Sequence, residues 1–201
     1  MTSTPAAGAR DEVLGRVRSA LSGVFPAVEV PPAPRAAARD DLVDLFTERV
    51  EDYRAVVTAT TRAELAGVVA RAVGAATVVV PPGLDLDLPG SVVDDGLKAA
   101  ELDAIDCVVT RAAVGIAETG TIVLDHAPGQ GRRIITLVPD RHVCIVDAAQ
   151  VVADVPDAIE LLDPARPTTW ISGPSATSDI ELDRVEGVHG PRTLHVVLVA
   201  D

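Results

Sequence analysis

The amino-acid sequence predicts an α/β fold built on a mainly parallel sheet, and three observations carry that prediction. Seven short runs rich in Val and Ile recur along the 201 residues: AVVTA from Ala55, TVVV from Thr77, CVVT from Cys107, TIVL from Thr121, HVCIV from His142, TWIS from Thr169 and HVVLV from His195. In the first half they are interleaved with stretches of helical spacing, as expected for strand, helix, strand units packed as a three-layer sandwich. Several runs, TVVV among them, are apolar without alternation, the pattern of strands covered on both faces.

Each element follows in order. Val13, Leu14, Val17 and Leu21 fall at helical spacing over residues 11 to 22, and the connector FPAVEVPPAP that follows excludes helix or central strand. Residues 1–39 therefore read as an N-terminal helical arm with a Pro-rich connector, and 40–201 as the domain proper. Leu42, Leu45, Phe46 and Val50 mark a second helix over 41 to 53. Thr61 and Glu64 have the spacing of a capping box for a helix over 62 to 73, with Leu65, Val68, Val69 and Ala72 on one face and Gly74 at its end. GLDLDLPGS, residues 83 to 91, reads as an acidic loop before a helix near 94 to 103. A last helix is expected from Pro156 to Leu162, with proline in its first turn.

Composition narrows the function. A hydrophobic content of 48% and a mean hydropathy of +0.29 suffice for one substantial core in a chain of this length. Four aromatic residues, Phe25, Phe46, Tyr53 and Trp170, leave little to stack on nucleobases or a flavin ring. The net charge of -13, with no run of clustered Lys/Arg, argues with them against a nucleic-acid partner. Cys107 and Cys144 sit in apolar runs, which suits buried strand cysteines better than a disulfide or a metal motif. An iron–sulfur cluster usually takes about four thiolates, so no intrinsic cofactor is expected and any redox centre belongs to a partner. No GxGxxG fingerprint follows a strand, and NAD has no specific support. Without a signal pattern, or an apolar run near the roughly 18 residues of a membrane span, the expectation is a cytoplasmic protein with no membrane span.

Three glycine-rich segments carry the candidate chemistry, and they are expected to converge outside the carboxyl ends of the strands. In GIAETGTIVLDHAPGQGRRIIT, Gly129, Gln130 and Gly131 bring backbone close to a ligand while Arg132 and Arg133 grip a carboxylate or phosphate. The alternative is a turn with one solvated arginine and one paired internally. The local charge of residues 110 to 142 agrees with the anion site, with Arg111, Arg132, Arg133 and Arg141 against Glu118, Asp125 and Asp140 in an otherwise acidic chain, and both readings stay open. Glu118, beside Thr119 and Gly120, acts as base or nucleophile, or binds a neighbouring backbone amide. His126 follows Asp125, which is placed to orient it.

In SGPSATSDIE, the residues Ser172, Gly173, Ser175, Thr177 and Asp179 offer small hydrogen-bonding groups at a helix start, either for an anion or for the helix itself. EGVHGPR puts His189 between glycines and ahead of Arg192, outside any apolar periodicity, which makes it the best acid–base candidate of the four histidines. His142 and His195 alternate with apolar strand residues and read as packed in or beside the core.

The strings GIAETGTIVLDHAPGQGRRIITLVPDRHVCIV (115 to 146), SGPSATSDIE and EGVHGPR resemble the lactate utilization protein C family, the LUD-domain proteins, over about residues 40 to 201. The resemblance implies a Rossmann-like three-layer fold similar to the NagB/RpiA/CoA-transferase group. It also implies a role in oxidising L-lactate to pyruvate beside two partner proteins that carry iron–sulfur clusters. No catalytic residue set accompanies the motif, so the site residues above rest on their own chemistry. Three functions compete: a subunit whose three loops bind lactate, pyruvate or another small anion; a non-catalytic assembly or regulatory subunit docking through its arm; and an acyl- or CoA-transfer enzyme with Glu118 as nucleophile.

Overall fold

The computed structural model describes residues 8–23, 31–35, 39–174, 176–177, 185–186 and 190–200, and the chain divides into two compact units, 1–34 and 35–201. The first unit holds helix α1 (Ala9–Leu21), with Val13, Val17 and Leu21 exposed along it. In the second, α2 (Leu42–Asp52) leads into β1 (Val56–Thr60), α3 (Leu65–Val73) and β2 (Val78–Val80). Then come β3 (Val92–Val93), α4 (Ala99–Leu102), β4 (Cys107–Arg111), β5 (Val114–Ile116) and β6 (Thr121–Leu124). A 3-10 turn, Arg133–Thr136, precedes β7 (Arg141–Asp147), β8 (Val151–Val152) and α5 (Val155–Leu161). The chain ends with β9 (Thr169–Ile171), the pair β10 (Ala176–Thr177) and β11 (Val185–Glu186), and β12 (Thr193–Val199).

Six strands form an all-parallel sheet in the order β1-β12-β7-β4-β2-β3. Its central strands are buried on both faces, which is why their sequences run apolar without alternation. On one face α3 presses Leu65, Val68, Val69 and Val73 onto Cys107, Val109, Val143, Ile145, Val197 and Val199. The other face carries α2, through Phe46 and Val50, and a second sheet, through Ile122 and Leu124, against Cys144, Val146, Leu194, Val196 and Leu198. The fully buried Phe46 contributes about 2–3 kcal/mol by leaving water. Gly115 gives its ring room, since a Cβ there would come within 3.2 Å of Phe46.

The second sheet, β8-β5-β6-β9, departs from the expected single sheet. TIVL and TWI pair antiparallel to each other in it rather than joining the parallel strands, and the short β5 and β8 were not anticipated. The reason is local: Gly120 takes φ 59 in the turn after β5, so the chain doubles back as a hairpin instead of crossing over. Two helices also differ. The Thr61 and Glu64 capping box does not form: residues 62–64 close as a turn, with the Glu64 N–H on the Thr61 carbonyl, and α3 starts at Leu65. The helix expected near 94 to 103 shrinks to α4 because the Asp94 carboxylate accepts the N–H groups of Gly96 and Leu97 in a bend. At α5 the expected proline lies in the first turn, and Asp154 caps the helix by accepting the Asp157 N–H at 2.9 Å.

Candidate functional site

The crevice beyond the carboxyl ends of β2 and β4, where the strand order reverses, is filled by the protein itself. The Gly129 N–H bonds the Pro82 carbonyl at 2.9 Å and its carbonyl accepts the Arg111 N–H at 2.8 Å. A Cβ on Gly83 would sit 2.7 Å from Pro128, and one on Gly131 would sit 2.5 Å from Ile135 and 2.8 Å from Pro81. The glycines of PGQG therefore let the loop approach the strand ends rather than a ligand. Gln130 is 6% exposed and its side chain receives the Asp125 N–H at 2.6 Å, so it braces the loop instead of lining a site.

Two cavities lie beside this plug. One, of about 280 Å³, is lined by Arg133, Thr136, His142, Thr169, Ser172 and Gly173 together with the apolar Leu137, Ile171, Trp170, Pro191 and Leu194. It sits over the amino ends of β7 and β12, between the two sheets, and not outside the carboxyl ends as expected. It does join parts of all three glycine-rich segments: Arg133 from the first, Ser172 to Pro174 from the second, Gly190 and Pro191 from the third. The second is an open groove lined by Pro82, Gly83, Asp94, His126, Pro128, Gly131 and Arg132, and Arg133 borders it as well.

The paired arginines divide as the turn alternative allowed. Arg132 grips the buried Asp94 through Nε at 2.7 Å and Nη2 at 2.5 Å, and donates to the Leu97 carbonyl at 2.9 Å. The Arg132 guanidinium beside Asp94 holds that carboxyl below its ordinary range, against the opposing effect of burial. Arg133 is exposed and has no ion pair or side-chain hydrogen bond among the described residues, so its charge is available to the cavity. Arg192 is drawn away by Asp140, on which it makes a two-nitrogen ion pair.

His126 is held with φ 60 by the loop, not by its neighbour. Its Nδ1 lies 2.7 Å from the Gly131 carbonyl and its Nε2 3.2 Å from Thr169 Oγ1, while Asp125 is engaged by the Ala127 N–H and by Arg166. His126 lines the groove, and Thr169, to which it bonds, lines the smaller cavity. Glu118 is exposed on the hairpin turn, its N–H on the Ala153 carbonyl at 3.1 Å, beside β8 rather than β9, and it is not a cavity residue. The bond here is made by its main-chain N–H, and its carboxylate has no backbone amide as a partner among the described residues. Thr119 reaches the cavity indirectly, its hydroxyl donating to Thr121 Oγ1, which lies 2.8 Å from Ser172 Oγ. Gly120 is required by the turn, where a Cβ would meet the Arg49 backbone at 2.7 Å. Gly173, at φ 82, packs on Tyr53. Ser175, Asp179 and His189 lie outside the described residues, and Thr177 belongs to β10.

Sequence reasoning assigned His142 to the core and missed that it also forms the cavity floor. Only 2% exposed, it places Nε2 2.8 Å from Thr110 Oγ1, on the neighbouring strand, and burial pushes its pKa down to about 4. Nothing in the sequence marks which face of β7 meets the second sheet, so no local signal could have found it. His195, by contrast, pairs with Thr58 Oγ1 at 2.9 Å at the strand edge. Both cysteines are free and buried, on opposite faces of the parallel sheet; burial pushes Cys107 up to about 11 and Cys144 up to about 12. Among the described residues no group of three or more His, Cys, Asp or Glu side chains could hold a metal ion, and no helix is long and apolar enough to cross a membrane.

Comparison with known proteins agrees with this architecture. Residues 94–199 match the LUD domain family model. A lactate utilization protein C from Deinococcus radiodurans is 44% identical over 211 residues, covering 99% of this chain and 100% of the relative. A lactate utilization protein C from Bacillus subtilis is 32% identical over 54% of this chain, which spans 47% of that longer relative. The crystal structure of a DUF162 family protein from Deinococcus radiodurans superposes with a TM-score of 0.71 at 40% identity, over 82% of this chain and 100% of the other. With its matched region, its full-length relative and its parallel sheet in agreement, this chain belongs to the LUD domain family.

Proposed function

We propose that this chain serves a lactate-utilization system as the subunit that binds a small carboxylate, beside partner proteins that carry the iron–sulfur clusters. The observation that carries the reading is Arg133, a cation without a partner among the described residues, at a cavity of about 280 Å³. That volume is at the small end for ligand pockets and suits a compact anion. The hydroxyls of Thr136, Thr169 and Ser172 add polar partners, and the names of the relatives supply the metabolic setting. The placement of Cys107 and Cys144 supports clusters held elsewhere, since two buried thiols on opposite sheet faces cannot close on one cluster.

Trp170 is the single tryptophan of the chain, 41% exposed, and lines the same cavity, so its fluorescence reports occupancy. Titration with L-lactate and pyruvate is expected to shift that fluorescence saturably, and Arg133→Ala is expected to weaken binding by about tenfold or more, the loss of a charge-assisted contact. A wild-type protein that responds to neither acid at millimolar concentration rejects the reading. Reconstituted lactate-dependent dye reduction with the iron–sulfur partners, with and without this chain, tests the system role separately.

A further inference from the structure

Resting on that carboxylate reading, we propose that His142, with Thr110 behind it, is the residue of this cavity that reads an oxygen on the α-carbon of the bound acid. The first ground is an unmet polar atom. His142 is 2% exposed, its Nε2 is satisfied by Thr110, and its Nδ1 has no hydrogen-bond partner among the described residues. Buried polar atoms are overwhelmingly bonded, so an unused ring nitrogen in a residue that lines a cavity marks a place for a ligand atom.

The second ground is the charge inventory. Arg133 is the cavity cation without a partner among the described residues, which suits one carboxylate rather than two. The apolar Leu137, Ile171 and Leu194 on the walls suit a short alkyl group. A carboxylate on Arg133, an α-oxygen on His142 and a small side chain against these residues account for the mixed lining.

Thr110 explains how one site accepts both an alcohol and a ketone. Its hydroxyl lies 2.8 Å from His142 Nε2 and 3.6 Å from Cys144 Sγ, and it has a single proton to give. When the Thr110 hydroxyl donates to Cys144 Sγ, Nε2–H donates to the Thr110 oxygen, and the bare Nδ1 accepts from a hydroxyl of the ligand. When the Thr110 hydroxyl instead donates to Nε2, Nδ1 carries the hydrogen and donates to a ligand carbonyl. Burial keeps the ring neutral near pH 7, so both tautomers are accessible without net charge. A rotating hydroxyl thus matches the ring to either ligand.

The test compares L-lactate, pyruvate and propionate, which share a carboxylate and a three-carbon skeleton and differ in the α-oxygen, by Trp170 fluorescence or calorimetry on the full chain. Wild-type protein is expected to bind propionate about tenfold more weakly than the other two, and His142→Leu to bring all three to the propionate level. His142→Gln, which keeps a hydrogen-bonding group, is expected to restore part of the preference, and circular dichroism of each variant separates loss of the site from loss of the fold. Equal binding of the three acids to wild-type protein overturns the role of His142 while leaving the carboxylate site standing. A preference that survives in a folded His142→Leu also overturns it, and no binding of any acid overturns the carboxylate reading and this inference together.

Discussion

Arg132 and Arg133 are adjacent in sequence and opposite in use: Arg132 closes two bonds on Asp94, whose side chain is 1% exposed, whereas Arg133 stands exposed at the mouth of two cavities. Alanine at each position is expected to separate stability from binding. Arg132→Ala leaves a buried carboxylate that has, among the described residues, only the Gly96 and Leu97 N–H groups as partners. A fully buried pair broken this way costs about 3–5 kcal/mol, and the half-exposed arginine lowers that to about 2 kcal/mol. Thermal melting is expected to fall by roughly 4–8 °C with carboxylate binding retained. Arg133→Ala is expected to melt like wild type and to bind the ligand about tenfold or more weakly. Reversed phenotypes in melting and titration would show that the assignment of the two guanidinium groups is wrong.

Gly131 and Gly90 form a natural control for the packing of the loop. Both have φ near +80, so alanine at either is strained by about 1–2 kcal/mol. A Cβ at Gly90 meets nothing within 4 Å, whereas at Gly131 it runs into Ile135 and Pro81. Gly131→Ala is therefore expected to cost roughly 2–4 kcal/mol, the strain plus overpacking, and Gly90→Ala only the strain. Urea unfolding of both variants measures the difference, and equal midpoints would show that the plug over β2 and β4 is loosely packed.

What the sequence made legible follows from what periodicity encodes. CVVT and HVCIV announce buried strands because both their faces are covered, and α2 and α5 announce themselves through Leu42, Phe46 and Val50 and through the proline in the first turn. Periodicity carries no record of strand partners, so TIVL and TWIS could not be assigned to a second sheet, and the whole displacement of the cavity follows from that sheet. The glycines of PGQG were visible as a close approach, but whether backbone approaches a ligand or Pro82 is a tertiary fact. The arginine pair was legible as an anion grip or as one solvated and one internally paired residue; that Arg132 is the paired one, held by Asp94 distant in sequence, was not.

Glu118 is expected to matter little to ligand binding despite its suggestive setting between small residues. Its side chain is exposed and its backbone is fastened on the β8 side of the hairpin, about two strand spacings from the β9 side that lines the cavity. Glu118→Gln removes the charge and keeps the shape, so lactate affinity is expected to change by less than about twofold. A change beyond that, in a protein that melts like wild type, would return the carboxylate to the site.

Acid sensitivity should be traceable to His142. Burial lowers its folded pKa to about 4, while in the unfolded chain it titrates near its ordinary value of about 6.5. Between those values the unfolded state holds the proton and the folded state does not, so protonation favours unfolding and stability falls as pH drops through the window. From pH 7 to pH 5 the loss is expected to reach about 2 kcal/mol from this group. Burial lowers His195 too, with Arg141 adding to the effect, and its contribution has the same sign. In His142→Gln the titrating group is gone, so the stability difference between pH 7 and pH 5, read from urea midpoints, is expected to shrink by that amount. An unchanged difference would place the acid sensitivity elsewhere and would mean that His142 is reached by water in the folded state.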